Sequence, residues 1–444
     1  MGESAAAWRA EIAADLRPKV IVDDDPTGTQ AVSDVDVILR PDRAAFDDFF
    51  ASTQRSTFVL SNSRAFTERG ATALVGDIAR TVAAAARAAE RPATLILRGD
   101  STLRGHVIAE AEAVAPHTPV LFVPAFLDGG RFTRDGIHYL QTDSGAVPVA
   151  DTEFARDPNF GYRSRHLRDW VSEVSGGRRH GLTVPLARLH ERGPDAVAEA
   201  LLGAVPEAVV IPDCVSDADV LAIAAGLIRA QARGARVVVR CAASLAAALA
   251  GLSTRPLTRL ELSPPGRVLI ACGSFTAAST CQLRALGELW HQRVDIPVGA
   301  QRGDDQLLAK AVRERLERDG QALVATDRTP RHGSVPAAPE LLMDTLVETV
   351  RHLAADVDLV IAKGGITSAR LATDALGATG ARVRGQVLPG VPVWDLRTSG
   401  KSQSYVVVPG NVGADSTLRD ILGRIAAVPP GRSRQGDQGD QGDQ

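Results

Sequence analysis

The string Asp23-Asp24-Asp25-Pro26-Thr27-Gly28-Thr29-Gln30 gathers three carboxylates, two hydroxyls and a glycine within eight residues. It follows the apolar run Val20-Ile21-Val22, which reads as a buried strand. A strand interior cannot desolvate three adjacent like charges. The carboxylates are therefore expected at the strand's end, facing water, a metal or a polar substrate. Open α/β sheets bind ligands at the carboxyl ends of their strands. The plainer alternative is an acidic turn in solvent.

Arg64, Arg104 and Arg131 each follow a strand-like run in the first half of the chain. Arginine forks bind carboxylates and phosphates through two parallel hydrogen bonds. Converging on one sheet edge, the three would form an anion-recognition cleft. Asp24, Asp25 and Asp100 would accept hydrogen bonds from hydroxyls. Together they suit a small polyhydroxylated acid. Each arginine could instead cap a helix or pair with a surface acid.

The second half carries three loops of another kind. Val268-Leu269-Ile270-Ala271-Cys272 leads into Gly273-Ser274-Phe275-Thr276, and Leu359-Val360-Ile361-Ala362 into Lys363-Gly364-Gly365-Ile366-Thr367-Ser368. Pro409-Gly410-Asn411-Val412-Gly413 follows the run Tyr405 to Val408. Glycines let backbone N–H groups approach an anion, and helix N-termini are electropositive. Three such loops argue for phosphate binding; tight strand–helix packing is the alternative. Gly400-Lys401-Ser402 lacks the first glycine of a P-loop, because Asp395 stands there, and it reads as a hairpin turn between strands. No GxGxxG or GxSxG occurs, and His106, His138 and His166 lack metal-ligand spacing.

These loops need strands and helices to hold them. Thr57–Leu60, Thr94–Leu97, Val120–Val123, Ala208–Ile211 and Ala235–Val239 read as strands separated by helical segments. That alternation predicts parallel strands with crossover helices. A proline-bearing stretch at 253–266 reads as a linker. Beyond it, a second α/β unit runs from Arg267–Ala271 through Asp358–Ile361, Val391–Trp394 and Tyr405–Val408 to a helix near Asp415–Ile425. The expected architecture is two Rossmann-like α/β domains with mostly parallel sheets, 1–252 and 267–428, with the active site in the cleft between them. The Gln-Gly-Asp repeats of 429–444 are expected to be disordered.

At 444 residues the chain is too long for one core. A net charge of −3 gives no general attraction to nucleic acid or anionic lipid. Four cysteines without a CxxC pair fit a reducing compartment, and no signal peptide or membrane-length apolar run is visible. A cytoplasmic protein is expected.

The chain resembles the four-carbon acid sugar kinase family from about Lys19 to Ile425. The resemblance rests on Asp24-Asp25-Pro26-Thr27-Gly28, Ser61-Asn62-Ser63-Arg64, Asp100-Ser101-Thr102-Leu103-Arg104-Gly105 and Pro124-Ala125-Phe126 with Gly129-Gly130-Arg131. Gly273-Ser274, Gly364-Gly365-Ile366-Thr367-Ser368, Pro389-Gly390-Val391-Pro392-Val393-Trp394 and Gly410-Asn411-Val412-Gly413 extend it. It implies an N-terminal domain that binds the sugar acid and a C-terminal domain that binds ATP. It implies phosphorylation of the terminal hydroxyl of erythronate, threonate or a 3-oxo-tetronate. Ser274, Gly364, Gly365, Ile366, Thr367 and Gly410 would hold ATP. Asp24, Asp25, Arg64, Asp100, Ser101, Arg104 and Arg131 would line the acid-sugar pocket. Asp24 or Asp100 would orient the acceptor hydroxyl, with Asp24 favoured by its denser acidic cluster. Mg²⁺ is expected with ATP, through few protein ligands, none of them assigned. Two departures stand out: Ile366 where many relatives carry Glu, and Arg98 where many carry Lys. A homodimer is compatible with this reading. The rival is a sugar-acid sensor that keeps the fold without catalysis.

Overall fold

The computed structural model describes residues 2–257, 266–327, 339–400, 402–410 and 413–425. Most of the expected linker, the whole 429–444 tail, Lys401, Asn411 and Val412 lie outside the described residues.

The apolar runs pair as parallel strands. In the N-terminal half the order across the sheet is Val35–Ile38, Ser56–Leu60, Lys19–Asp23, Thr94–Arg98, Val238–Cys241, Val120–Val123, Ala208–Pro212 and His180–Val184. Every pair in that run is parallel. The strands are apolar on both faces because helices cover both, as parallel sheets require. Val20, Val22 and Val59 pack into one apolar cluster and Ile21, Phe58 and Ile96 into another.

In the C-terminal half the order is Val294–Ile296, Gln321–Thr326, Val268–Cys272, Leu359–Lys363 and Gln403–Val408, all parallel. Val391–Arg397 and Gly380–Leu388 then continue it antiparallel. The antiparallel pairing of Val391–Arg397 with Gln403–Val408 agrees with a hairpin reading of the intervening turn.

The two halves share one sheet. Gly380–Leu388 pairs antiparallel with Val35–Ile38, giving fifteen strands in continuous order. Sequence reading gave the halves separate sheets, and neither of these joining strands was anticipated. Val35-Asp36-Val37-Ile38 is short, and its partner alternates buried and half-buried residues rather than forming an apolar run. Further bonds cross this junction: Trp394 Nε1 donates to Thr29 Oγ1 at 2.9 Å, and Leu257 N to Gln386 O at 2.8 Å. A second sheet of three antiparallel strands, Arg131–Arg134, Ile137–Thr142 and Gly145–Pro148, was also not anticipated.

Candidate active site

Strand register decides which loops meet. Asp23 pairs with both Leu60 and Arg98, and Arg98 with Cys241. The loops leaving these four neighbouring strands therefore start at one level. In the other half Cys272, Lys363 and Val408 are likewise in register, so all three glycine loops leave from one edge.

The acidic string does not face water. Asp23, Asp24 and Asp25 are all buried. Of the surroundings expected at the strand's end, water is excluded, because arginines from distant segments pair with the carboxylates. Arg98 Nη1 lies 3.0 Å from Asp23 Oδ1 and Arg240 Nη2 lies 3.4 Å from Asp24 Oδ2. Arg64 pairs with Asp25, and its Nη1 lies 3.3 Å from Asp100 Oδ1. Arg104 Nε donates to Asp100 Oδ2 at 2.9 Å, and its Nη1 lies 3.6 Å from Asp157. Arg240 also binds Glu110 at 2.5 Å, and Ser63 Oγ donates to the same carboxylate. Arg64 and Arg104 do pair with acids, but inside this network rather than on the surface.

Local geometry supports the network. Asp25 caps the short 3₁₀ helix Pro26–Ala31, accepting from Thr27 N at 2.7 Å. Gly28 is required by close approach: a Cβ there would fall 1.7 Å from Asp23 Oδ2.

The charges settle differently along the string. Burial raises the pKa of Asp23 to about 7, against the pull of Arg98. Burial also raises Asp24, despite Arg64 and Arg240. For Asp25 and Asp100 burial is outweighed. Arg64 and the Thr27 donors hold Asp25 below the usual carboxylate range, and Arg64 and Arg104 do the same for Asp100. Both remain ionised acceptors at neutral pH.

A cavity of about 70 Å³ lies where the two halves meet. Asp25, Arg64, Asp100, Ser101, Arg104 and Arg131 line it from the N-terminal half; Gly365, Pro409 and Gly410 close it from the other. Arg131 differs from its neighbours. Among the described residues it has no carboxylate partner; its Nη1 donates to Gly129 O at 2.7 Å, and its guanidinium sits 5.9 Å from the Phe126 ring. Its buried Nε has no partner among the described residues, and burial lowers its pKa. That leaves donor capacity open to an anion. His138, from the three-stranded sheet, supports this wall. Burial lowers its pKa to about 4, so the ring is neutral. Nε2–H donates to Ser101 O at 2.8 Å, and Nδ1 accepts from Thr133 at 3.0 Å.

Asp24, favoured from the sequence, does not line the cavity; its carboxylate meets Arg240 instead. Of the expected nucleotide residues, Gly365 and Gly410 reach the cavity. Ser274 stands beside them: Ser279 Oγ donates to its hydroxyl at 2.9 Å, and a Cβ on Gly410 would lie 3.5 Å from it. Gly364 adopts φ +112°, which favours glycine. Thr367 is buried, whereas Ile366 is half exposed.

Arg240, Glu110 and Lys363 were given no role from the sequence. Arg240 carried a signal, a charge ending an apolar strand; Glu110, in an alanine-rich helix, carried none. Among the described residues no group of three or more His, Cys, Asp or Glu side chains could hold a metal ion.

Arg240→Met is expected to lower stability by about 3–5 kcal/mol, because it strands the buried Asp24 and Glu110 carboxylates. Burial already raises Asp24 against the pull of Arg240, so losing the arginine would raise it further. The part of the deficit due to Asp24 should therefore be full at pH 8 and shrink as pH falls and that carboxylate takes up its proton. Urea unfolding at pH 8 and pH 5.5 measures it; an equal deficit at both would remove Asp24 titration as its cause.

Known proteins supply the class. A family model for a sugar-binding N-terminal domain matches residues 19–249, and one for a nucleotide-binding C-terminal domain matches 269–418. The fold and these matches define a two-domain α/β protein of sugar- and nucleotide-binding type. The chain belongs to the four-carbon acid sugar kinase family. A Haemophilus influenzae protein of the DUF1537 family shares the fold at TM-score 0.63, with 16% identity over 91% of this chain and 100% of its own. A Salmonella typhimurium LT2 protein, provisionally described as a tRNA synthase, aligns at TM-score 0.65 and 16% identity over 91% of this chain and 98% of its own. No curated protein matches the chain. Among the described residues no helix is long and apolar enough to cross a membrane.

Proposed function

We propose that the protein transfers the terminal phosphoryl group of ATP to the terminal hydroxyl of a four-carbon sugar acid: erythronate, threonate or a 3-oxo-tetronate. The observation that carries this is the shared cavity. Arginines and aspartates suited to a hydroxy acid form one wall, and glycine loops suited to phosphates form the other. The second glycine loop supports this reading: a Cβ on Gly364 would press on Ser274 and one on Gly365 on Asp25, so glycine lets this loop lie close to both neighbouring loops.

Phosphoryl transfer asks the protein mainly for positioning and charge neutralisation. Arg131 and Arg104 would hold the substrate carboxylate. Asp25 and Asp100, held ionised, would orient the acceptor hydroxyl and take its proton late in the transfer. Arg64, between them, would meet the charge of the moving phosphoryl group. ATP would bring Mg²⁺, which neutralises phosphate charge. The cavity is narrow and opens to solvent. Parting of its two walls would admit substrates, and their closing would exclude water. The division of labour falls on either side of 253–266.

ADP formation in a coupled assay, screened over four-carbon acids of each stereochemistry, tests the reading. Acid-dependent ADP release is expected; none with any acid would favour a sensor. In the same assay Arg104→Lys keeps the charge but loses the planar guanidinium, whose Nε binds Asp100 and whose Nη1 lies beside Asp157. A lost charge-assisted hydrogen bond is worth roughly 1.5–3 kcal/mol. A fall in kcat/KM of about ten- to a hundredfold is expected, and an unchanged value would make Arg104 structural.

A further inference from the structure

Lys363 ends the strand Leu359–Lys363 and opens the second glycine loop. Its side chain is fully buried, at 0% exposure. Nζ donates to Pro409 O at 2.5 Å and to Gly410 O at 3.3 Å. Both acceptors are neutral carbonyls of the third glycine loop, and no carboxylate pairs with this ammonium among the described residues. A buried cation without a counter-ion is destabilising unless an anion completes it. Pro409 and Gly410 themselves line the cavity.

We propose that Lys363 is a positioning residue for the nucleotide, tethering the third glycine loop to the second through Pro409 and Gly410 and holding an uncompensated positive charge that polyphosphate neutralises. This rests on the assignment of the glycine loops to nucleotide binding.

The surroundings leave that charge exposed to few competitors. Cys272, its register neighbour, is the titratable group whose charge reaches Lys363. On the other neighbouring strand Tyr405 donates to Ser368 O, and burial pushes its pKa far up, so it does not ionise near neutrality. On the helix Thr417–Ile425, Arg419 and Asp420 are exposed and lie 3.9 Å apart. Cys281, on the helix Ala277–Arg284, is exposed. Asp25 faces the loop across the cavity at Gly365. Burial lowers Lys363 to about 8. Phosphate close to the ammonium would raise it again, so nucleotide binding should take up a proton above that pH.

The test is calorimetric binding of metal-free ADP to the full chain between pH 7.5 and 9.5, where ADP keeps a constant charge. For a group near pKa 8 that is fully protonated in the complex, Kd should weaken about twenty-fivefold across this range. In Lys363→Met the loop loses both bonds and the charge. Its Kd at pH 7.5 should be about tenfold weaker and nearly independent of pH. Cys272→Ala should keep the wild-type slope; if it flattens the slope, the thiol is the titrating group and the inference fails. If Lys363→Met does not fold, the wild-type and Cys272→Ala profiles decide alone. Tight ADP binding with no pH dependence overturns the role of Lys363 while leaving the kinase reading intact. No ADP binding at any pH overturns both.

Discussion

Asp25→Asn is expected to lower kcat by about 10²–10⁴-fold, the range for loss of a group that orients or deprotonates a nucleophile. Asp25 is the carboxylate at the junction: it lines the cavity, pairs with Arg64 and lies against Gly365 of the opposite half. Asparagine can still accept the Thr27 N–H bond, so the turn survives. What is lost is the anionic acceptor for the substrate hydroxyl and the partner that aims Arg64. Affinity for ADP should change little, since the glycine loops are untouched. Because Arg64 and the Thr27 donors hold Asp25 below the usual carboxylate range, the wild-type enzyme should keep its activity on mild acidification. Asp24→Asn offers the contrast. Asp24 meets Arg240 and does not line the cavity, so this change should act mainly on stability. Near-normal kcat in Asp25→Asn would shift the orienting role to Asp100 on the same wall.

The second large effect is expected at Gly365→Val. A Cβ at residue 365 would lie 2.6 Å from Asp25 Oδ2 and 3.2 Å from its Cγ. The first is closer than a Cβ can stand and the second is tight, so Asp25 or the loop must shift and the walls would meet differently. A displacement of about 1 Å between reacting groups can reduce a rate on the order of 10²-fold, and kcat/KM should fall by at least that. ADP affinity should fall as well, because the same side chain crowds the loop that backbone N–H groups present to phosphate. The fold should persist, since the strand Leu359–Lys363 and its register are unaffected. Steady-state kinetics and ADP calorimetry on one preparation separate the effects. A valine variant with wild-type kcat/KM would show that the walls do not close on each other during turnover.

Much of this protein was legible in one dimension. The runs at Val20–Val22, Leu95–Leu97, Val120–Val123 and Leu359–Ala362 are apolar on every residue. That pattern suits strands covered on both faces, and they pair in parallel. The loops that follow them were legible for the same reason, because polar and glycine residues cluster where strands end. Arg64, Asp100, Arg104 and Arg131 were picked out by position after a strand, and the structure places all four on one cavity wall.

The sequence by itself determined the repeating strand–loop–helix units and the residue types at their ends. Strand order, register and pairing across the sheet were decided only in three dimensions. Arg240 is distant in sequence from Asp24 and Glu110, yet strand order sets it one strand away from Lys19–Asp23 and the helix Val107–Val114 carries Glu110 to it. That proximity makes a buried ionic network of a string whose sequence left water, a metal or a polar substrate equally open as its surroundings. Gly380–Leu388 and Val35–Ile38 lie far apart in the chain, and only their pairing makes one sheet of two halves. Lys363 reads as one more residue of a glycine loop until Gln403–Val408 lies beside its strand and brings the Pro409 and Gly410 carbonyls to its ammonium. The physical reason is common to all three. Apolar periodicity is local and survives in the sequence, whereas the partner of a buried charge is set by which strands lie side by side.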